Sequence, residues 1–309
     1  MPPTREGKPP VVSRPSVSIE EFTVSGPEAG PYGIAAGPDG ALWFTLVHHG
    51  RIGRVTPDGA VGSYPLEEAS GGPSTITAGP DGALWFTEFR GHRVGRITTA
   101  GDVTSYALPT PDAGPFGIAA GPDDALWFTE ANAGRVGRIT TDGRITEFPL
   151  PEPGAFPSGI APGPDDRLWF TMNQANAIGS VGLDGSVVVH PLPTPGAAPV
   201  GITAGADGAL WFVEIGAGRI GRITPDGTLD EFALPDPESR PHAITAAGDG
   251  ACWFTEWGAN RIGRITPDGH IEEHPLPTPS SEPHGIAQGP DGAIWTALEN
   301  GAVARLTTG

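Results

Sequence analysis

Cysteine is almost absent from this 309-residue chain: Cys252 stands alone, so no internal disulfide can form. Basic residues are scarce beside acidic ones, 18 Lys and Arg against 36 Asp and Glu, for a formal net charge of −18. That balance argues against nucleic acid or an anionic membrane as a partner, since both select basic faces. It would suit a cation, although solubility accounts for most of it. No run of 18 apolar residues and no apolar signal segment occurs, which makes a soluble cytoplasmic protein the expectation. No segment has helical spacing, and neither a phosphate-binding glycine loop nor a dinucleotide fingerprint is found.

Glycine (47) and proline (36) are, by contrast, abundant enough to suggest disorder unless they recur with a period. The tryptophans supply one. Trp43, Trp85, Trp127, Trp169, Trp211, Trp253 and Trp295 follow one another at intervals of 42 residues, and only Trp257 falls outside the series. Seven copies of this length are what β-propeller blades require, so the expected fold is an all-β seven-bladed propeller with four antiparallel strands per blade. The sixth copy reads "PHAITAA", "GDG", "ACWFTEW", "GAN", "RIGRIT", "PDG", "HIEEHPLP". Asp-Gly turns between β-branched and aromatic runs are hairpin signals, which makes the glycine and proline punctuation.

The length would allow two average domains, but propellers often run this long as one unit. A single propeller domain is expected over 16–309, behind a Pro-rich, aperiodic leader over 1–15 that is expected to be disordered. The chain ends at "ARLTTG", one strand short of a seventh blade. Phe22 precedes Tyr64 by the same 42-residue step, in a column continued by Tyr106, Phe148, His190, Phe232 and His274. Residues 17–24 are therefore expected to pair as the outer strand of the last blade and close the ring, which makes a monomer the default.

The seven copies act as controls for one another. Columns uniform across blades are scaffold: "GPDG" reads as a hairpin turn rather than a calcium loop, and the "RIGRI" arginines as outer-strand residues. Glu88, Glu130, Glu214 and Glu256 are expected to hydrogen-bond between blades, and His190 and His274 to pack in the outer column. His48, His49, His92 and His270 fall in loops with no visible partner. The column after the proline differs: Tyr32, Ser74, Phe116, Ser158, Val200, His242, His284. The column before it ends in Arg240 and Glu282, and the column four past the tryptophan ends in Trp257 and Glu299. A first strand starts at the mouth of the channel to which the second returns. Tyr32, His242, Glu282, His284 and Glu299 are therefore expected to meet on one rim, across blades six, seven and one.

Two carboxylates without a cysteine nearby are hard oxygen donors suited to Mg²⁺, which takes one or two protein carboxylates and keeps its waters. Zinc, using His242 and His284, is the weaker option. A histidine beside a cation can act as a base near neutral pH, and the cation can stabilise an enolate-like charge. Metal-assisted proton abstraction and metal-assisted hydrolysis both remain open, as does a rim that only binds a partner.

The motifs "GPYGI", "LWFTE…RIGRIT", "RPHAIT", "LWFVEI", "WFTEWGAN" and "EPHGI" resemble the virginiamycin B (streptogramin B) lyase family over 17–309. The resemblance implies a carbon–oxygen lyase that depends on Mg²⁺ and linearises type B streptogramins, cyclic depsipeptide antibiotics, by elimination at the threonyl ester. Carried over by motif, His284 matches the base, Glu282 and Glu299 the magnesium ligands, and His242 and Tyr32 substrate contacts. Phe89, Ile215 and Trp257 are further rim positions for an apolar ring. Thr296, where Phe is usual, and the extra leader are the departures.

Overall fold

The computed structural model describes residues 17–308, so the expected leader over 1–15 lies outside the described residues. Seven four-stranded antiparallel sheets follow one another around a channel, as the period implies. Blade one runs Pro31–Ala36, Leu42–Leu46, Arg51–Val55 and Val61–Pro65 from channel to rim. Blade seven runs Pro283–Gln288, Ile294–Leu298 and Ala302–Thr308, and Val17–Thr23 completes it on the outside. Phe22 lies opposite Val303 in that pairing.

Each repeat tryptophan is at most 1% exposed, so the core is a ring of seven indoles between neighbouring sheets. The outer column covers them. Tyr64 stacks on Trp43 at 5.5 Å between ring centroids, His190 on Trp169 at 5.4 Å, His274 on Trp253 at 5.7 Å, and Phe22 on Trp295 at 5.5 Å. The imidazoles thus do the packing work of phenyl rings, and the N-terminal strand restores the one stack that the C-terminal end lacks.

The aspartate of the "GPDG" turn explains its repetition. Asp39 accepts a hydrogen bond from Trp43 Nε1 at 3.0 Å and pairs with Arg54 Nε at 2.7 Å. The same arginine, the second of "RIGRI", sits on the third strand rather than the outermost one. Its guanidinium lies 5.9 Å from the Trp43 ring, a cation–π contact beside the ion pair.

The glutamates after the tryptophan do not bridge blades. Among the described residues, both carboxyl oxygens of Glu130, Glu214 and Glu256 are buried without a hydrogen-bond partner, and Glu88 accepts from Ser105 of its own blade at 3.2 Å. Burial, and then the charge of Glu147 or Glu231, pushes Glu130 and Glu214 up to about 8; burial and Glu273 push Glu256 to about 7. The bonds that tie successive blades come from the second strand, where Thr45 Oγ1 donates to Ser74 O at 2.8 Å and Thr129 Oγ1 to Ser158 O at 2.6 Å, while outer-strand glutamates hold the connectors. Glu147 accepts from Thr110 N at 3.1 Å, Glu231 from Thr194 N at 3.3 Å, and Glu21 from Thr278 N at 3.2 Å. Each joins the connector entering a blade to that blade's last strand.

Blade seven departs from the others in its core. In six blades a phenylalanine lies opposite a glycine on the third strand, as Phe44 does opposite Gly53, where a Cβ would approach the ring to 2.1 Å. Blade seven pairs Thr296 with Ala304 instead. The smaller side chain makes room for the methyl group, and Thr296 Oγ1 donates to Gly285 O at 2.9 Å.

Candidate active site

The first two strands of every blade lose register just past the proline, between Pro283 and Ile286 in blade seven and between Pro31 and Ile34 in blade one. A bulge there takes the residue after the proline out of the ladder in all seven blades, which re-aims its side chain. Gly285 permits the close approach behind it: a Cβ would lie 2.5 Å from Tyr32 O of blade one. The His284 carbonyl is held by Thr255 Oγ1 of blade six at 2.9 Å. The residue before the proline is left-handed throughout, glycine in blades one to three and Glu282 at φ 51° in blade seven. That backbone is sparsely populated for a side chain other than glycine. The amide of Glu299 donates to Glu282 O at 3.3 Å, which joins the two carboxylate columns as their chain positions imply.

Four of the five expected residues are in direct contact, and the fifth shares their ligand sphere. His284 Nε2 lies 2.6 Å from Glu299 Oε2. Tyr32 Oη lies 3.1 Å from His242 Nε2, and the Tyr32 and His284 rings are 4.6 Å apart. Glu282, His284 and Glu299 each offer a ligand atom, and these atoms lie within 4.8 Å of one another. Trp257, until now only a rim candidate, donates Nε1–H to Glu282 Oε2 at 3.3 Å and carries the Arg240 guanidinium 5.5 Å above its ring. Phe89 edges onto Phe116, which edges onto Tyr32, each at 6.4 Å, so an apolar shelf continues away from the carboxylates.

Burial lowers the His284 pKa, opposed by its bond to and the charge of Glu299. Burial raises Glu299, but the bonds from His284 and His48 outweigh it and leave the carboxyl below the usual range. His242 is driven by burial, then by the neighbouring His284, down to about 3 and is neutral in ordinary buffers. Burial and the Glu299 charge raise Tyr32, which keeps its proton. His242 Nδ1 and His284 Nδ1 are both buried without a partner among the described residues. An orphaned ring lone pair is the cheaper arrangement than an orphaned N–H, which puts each imidazole proton on Nε2. Tyr32 then accepts from His242 and has its own O–H free for a ligand.

The family model described as the Virginiamycin B lyase family matches residues 17–306. This chain belongs to that family. A solved streptogramin B lyase is 44% identical, covering 95% of this chain and 98% of its own with a TM-score of 0.92. A catalytically inactive histidine-to-alanine variant of virginiamycin B lyase from Staphylococcus aureus, solved with quinupristin, is 45% identical and has a TM-score of 0.91. It covers 94% of this chain and 99% of its own. The virginiamycin B lyase of Streptomyces coelicolor is 60% identical over 50 residues, a stretch that spans only 16% of this chain and 17% of that relative.

One residue that the blade columns did not single out belongs to the site. His48 Nε2 lies 3.2 Å from Glu299 Oε1, although the loop of blade one gives no sign of a partner in sequence. The position five past the tryptophan reads His48, Arg90, Asn132, Gln174, Gly216, Gly258 and Asn300, so a polar residue in blade one does not stand out there. Of the other loop histidines, His92 accepts from Gly114 N at 3.2 Å, and His270 lies 3.6 Å from Glu272.

Proposed function

We propose that the protein is a Mg²⁺-dependent carbon–oxygen lyase that linearises type B streptogramins by elimination at the threonyl ester, inactivating the antibiotic. The observation that carries this reading is the Glu282–His284–Glu299 cluster beside Tyr32 and His242, in a chain of the Virginiamycin B lyase family. Two carboxylates and no thiolate form a hard donor set that fits Mg²⁺, and Glu282 and Glu299 would hold it. The ion would supply a Lewis acid for negative charge developing on the substrate carbonyl oxygen.

The protein's own groups would do the rest. His284 Nε2 is the base: its ring is stacked against Tyr32 and its other nitrogen is sealed in the protein, so only Nε2 faces the substrate. With Glu299 as acceptor at 2.6 Å that nitrogen carries the ring proton in the resting arrangement; to act as base the neutral ring takes its other tautomer, with the proton on Nδ1 and the lone pair on Nε2, while Glu282 and Glu299 would hold the cation. Nε2 takes the threonyl α-proton, the electron pair forms the Cα=Cβ bond, and the Cβ–O bond breaks. The products are a free carboxylate and a dehydrated threonyl residue. Tyr32, with an unengaged O–H, and neutral His242 orient the substrate, and the Phe116–Phe89 shelf, with Ile215 and Trp257 on the rim, receives its apolar ring. We place the enzyme in the cytoplasm as a monomer; the closed ring and a buried, free Cys252 accord with that.

Incubation with a type B streptogramin, with and without EDTA, followed by mass spectrometry tests the reading. Elimination opens the ring with no change in mass, EDTA stops it, and His284→Ala abolishes it in a folded protein. A product heavier by one water would establish hydrolysis instead, and full activity of His284→Ala would remove the base assignment.

A further inference from the structure

The residue five past the repeat tryptophan is His48 in blade one, Arg90 in blade two and Asn132 in blade three. In each of these blades its side chain lies against the glycine before the proline. A Cβ on Gly30 would approach His48 Cδ2 to 2.5 Å, one on Gly72 would approach Arg90 Nε to 2.8 Å, and one on Gly114 would approach Asn132 Nδ2 to 2.6 Å. Gly30 thus serves the left-handed turn at φ 62° and also leaves the space in which the imidazole rests. The His48 amide, bonded to Ala29 O at 3.2 Å, fixes the backbone there. From that seat Nε2 spans the boundary between blades one and seven to reach Glu299 Oε1 at 3.2 Å. Arg90 in the next blade donates to a backbone oxygen, that of Val47 at 3.4 Å.

We propose that His48 is a positioning residue of the metal site: it holds the Glu299 carboxylate in the orientation in which that group and Glu282 share a divalent cation. The proposal rests on the metal-site reading given above. Glu299 stands on a turn and its side chain is one-third exposed, at 34%, so without restraint it would sample several rotamers. Bonds from His48 to Oε1 and from His284 to Oε2 clamp the carboxylate plane from opposite sides of the blade seam. A carboxylate oxygen has two lone pairs, so Oε1 can accept from His48 and still coordinate. His48 is not itself a ligand: it is absent from the three-residue ligand cluster, and Mg²⁺ prefers oxygen to imidazole. Groups that orient a ligating carboxylate in this way are worth about 10–100-fold in metal affinity.

The test is calorimetric titration of Mg²⁺ and Mn²⁺ into the full-length wild type, His48→Ala and His48→Gln, with melting of each protein in EDTA. His48→Ala should bind about 10–100-fold more weakly with an unchanged metal-free melting temperature. His48→Gln, which keeps an N–H donor of similar reach, should recover most of the loss. Wild-type affinity in His48→Ala would overturn the positioning role and leave the proposed lyase standing. A wild type that binds neither ion would overturn both. A lowered metal-free melting temperature without rescue by glutamine would assign His48 a structural role and overturn the proposal.

Discussion

Phe22→Ala tests how the ring is held closed. The Phe22 ring stacks on Trp295 of its own blade and touches the turn of blade one, where a Cβ on Gly59 would lie 3.3 Å away. Loss of a fully buried phenylalanine costs about 3–5 kcal/mol. Phe22 is half-buried, which brings the burial loss to about 2 kcal/mol, and the ring stack adds about 0.5–1.5 kcal/mol. A total near 3 kcal/mol corresponds to a fall in Tm of about 6–12 °C for a chain of this size. Tyr64→Ala is the control, because Tyr64 makes the same 5.5 Å stack in a blade whose four strands are contiguous in sequence. Both variants should lose similar stability by circular dichroism. Only Phe22→Ala should accelerate amide exchange across Ala302–Thr308, whose partner strand is joined to blade seven by pairing alone. The loss should also reach the site, because Val24 and Ser25 donate to Gly301 O at 2.9 and 3.1 Å, two residues from Glu299. An unchanged Tm in Phe22→Ala, or exchange no faster than in Tyr64→Ala, would refute the closure argument.

Two further predictions concern the scaffold. Thr296→Phe should destabilise by about 1–3 kcal/mol by overpacking against Ala304, and Ala304→Gly in the same chain should restore most of it; additive losses in a double-mutant cycle would rule out the pairing. The pH profile of stability should have two limbs. Glu130, Glu214 and Glu256 have raised pKa values, so the native chain binds their protons more tightly than the unfolded chain does. Their contribution is complete below the ordinary glutamate range and is lost as pH rises to about 8. The turn carboxylates have the opposite sign: burial raises Asp39, but bonds from Trp43 and Arg54 outweigh it. Its contribution is therefore present above the ordinary aspartate range and is lost in acid. Thermal melts should peak at mildly acidic pH, and Glu→Gln at the three buried positions should flatten the alkaline limb. A profile still falling toward pH 8 in that triple variant would count against those assignments.

Much of the site was legible because a repeat protein carries its own controls. Glu282, His284 and Glu299 stand out only against the glycine, serine and apolar residues of the other copies, and the propeller's geometry then brings three columns to one rim. His48 escaped because its departure lies among loop residues that vary in every blade, and its partner is 251 residues away across the ring closure. Trp257 was legible as a rim residue but not as a donor to Glu282, since a side-chain bond between neighbouring blades has no fixed spacing in sequence. The buried glutamates were misassigned for a different reason. Their column is as regular as that of a bonding residue, but whether a carboxyl finds a donor depends on what the next sheet places opposite it.

The amino-acid order by itself determined the number of blades, the strands within each, the missing outer strand and the segment that replaces it. These follow from local propensity and a fixed period, which are additive along the chain. Only the folded ring decided which charges are paired and which protons are held. Desolvation and Coulomb energy depend on every group within a few ångströms, whatever its place in the chain. The seam between blades seven and one, where the first and last strands meet, therefore had to be seen before Glu299 could be understood as a carboxylate held between two histidines.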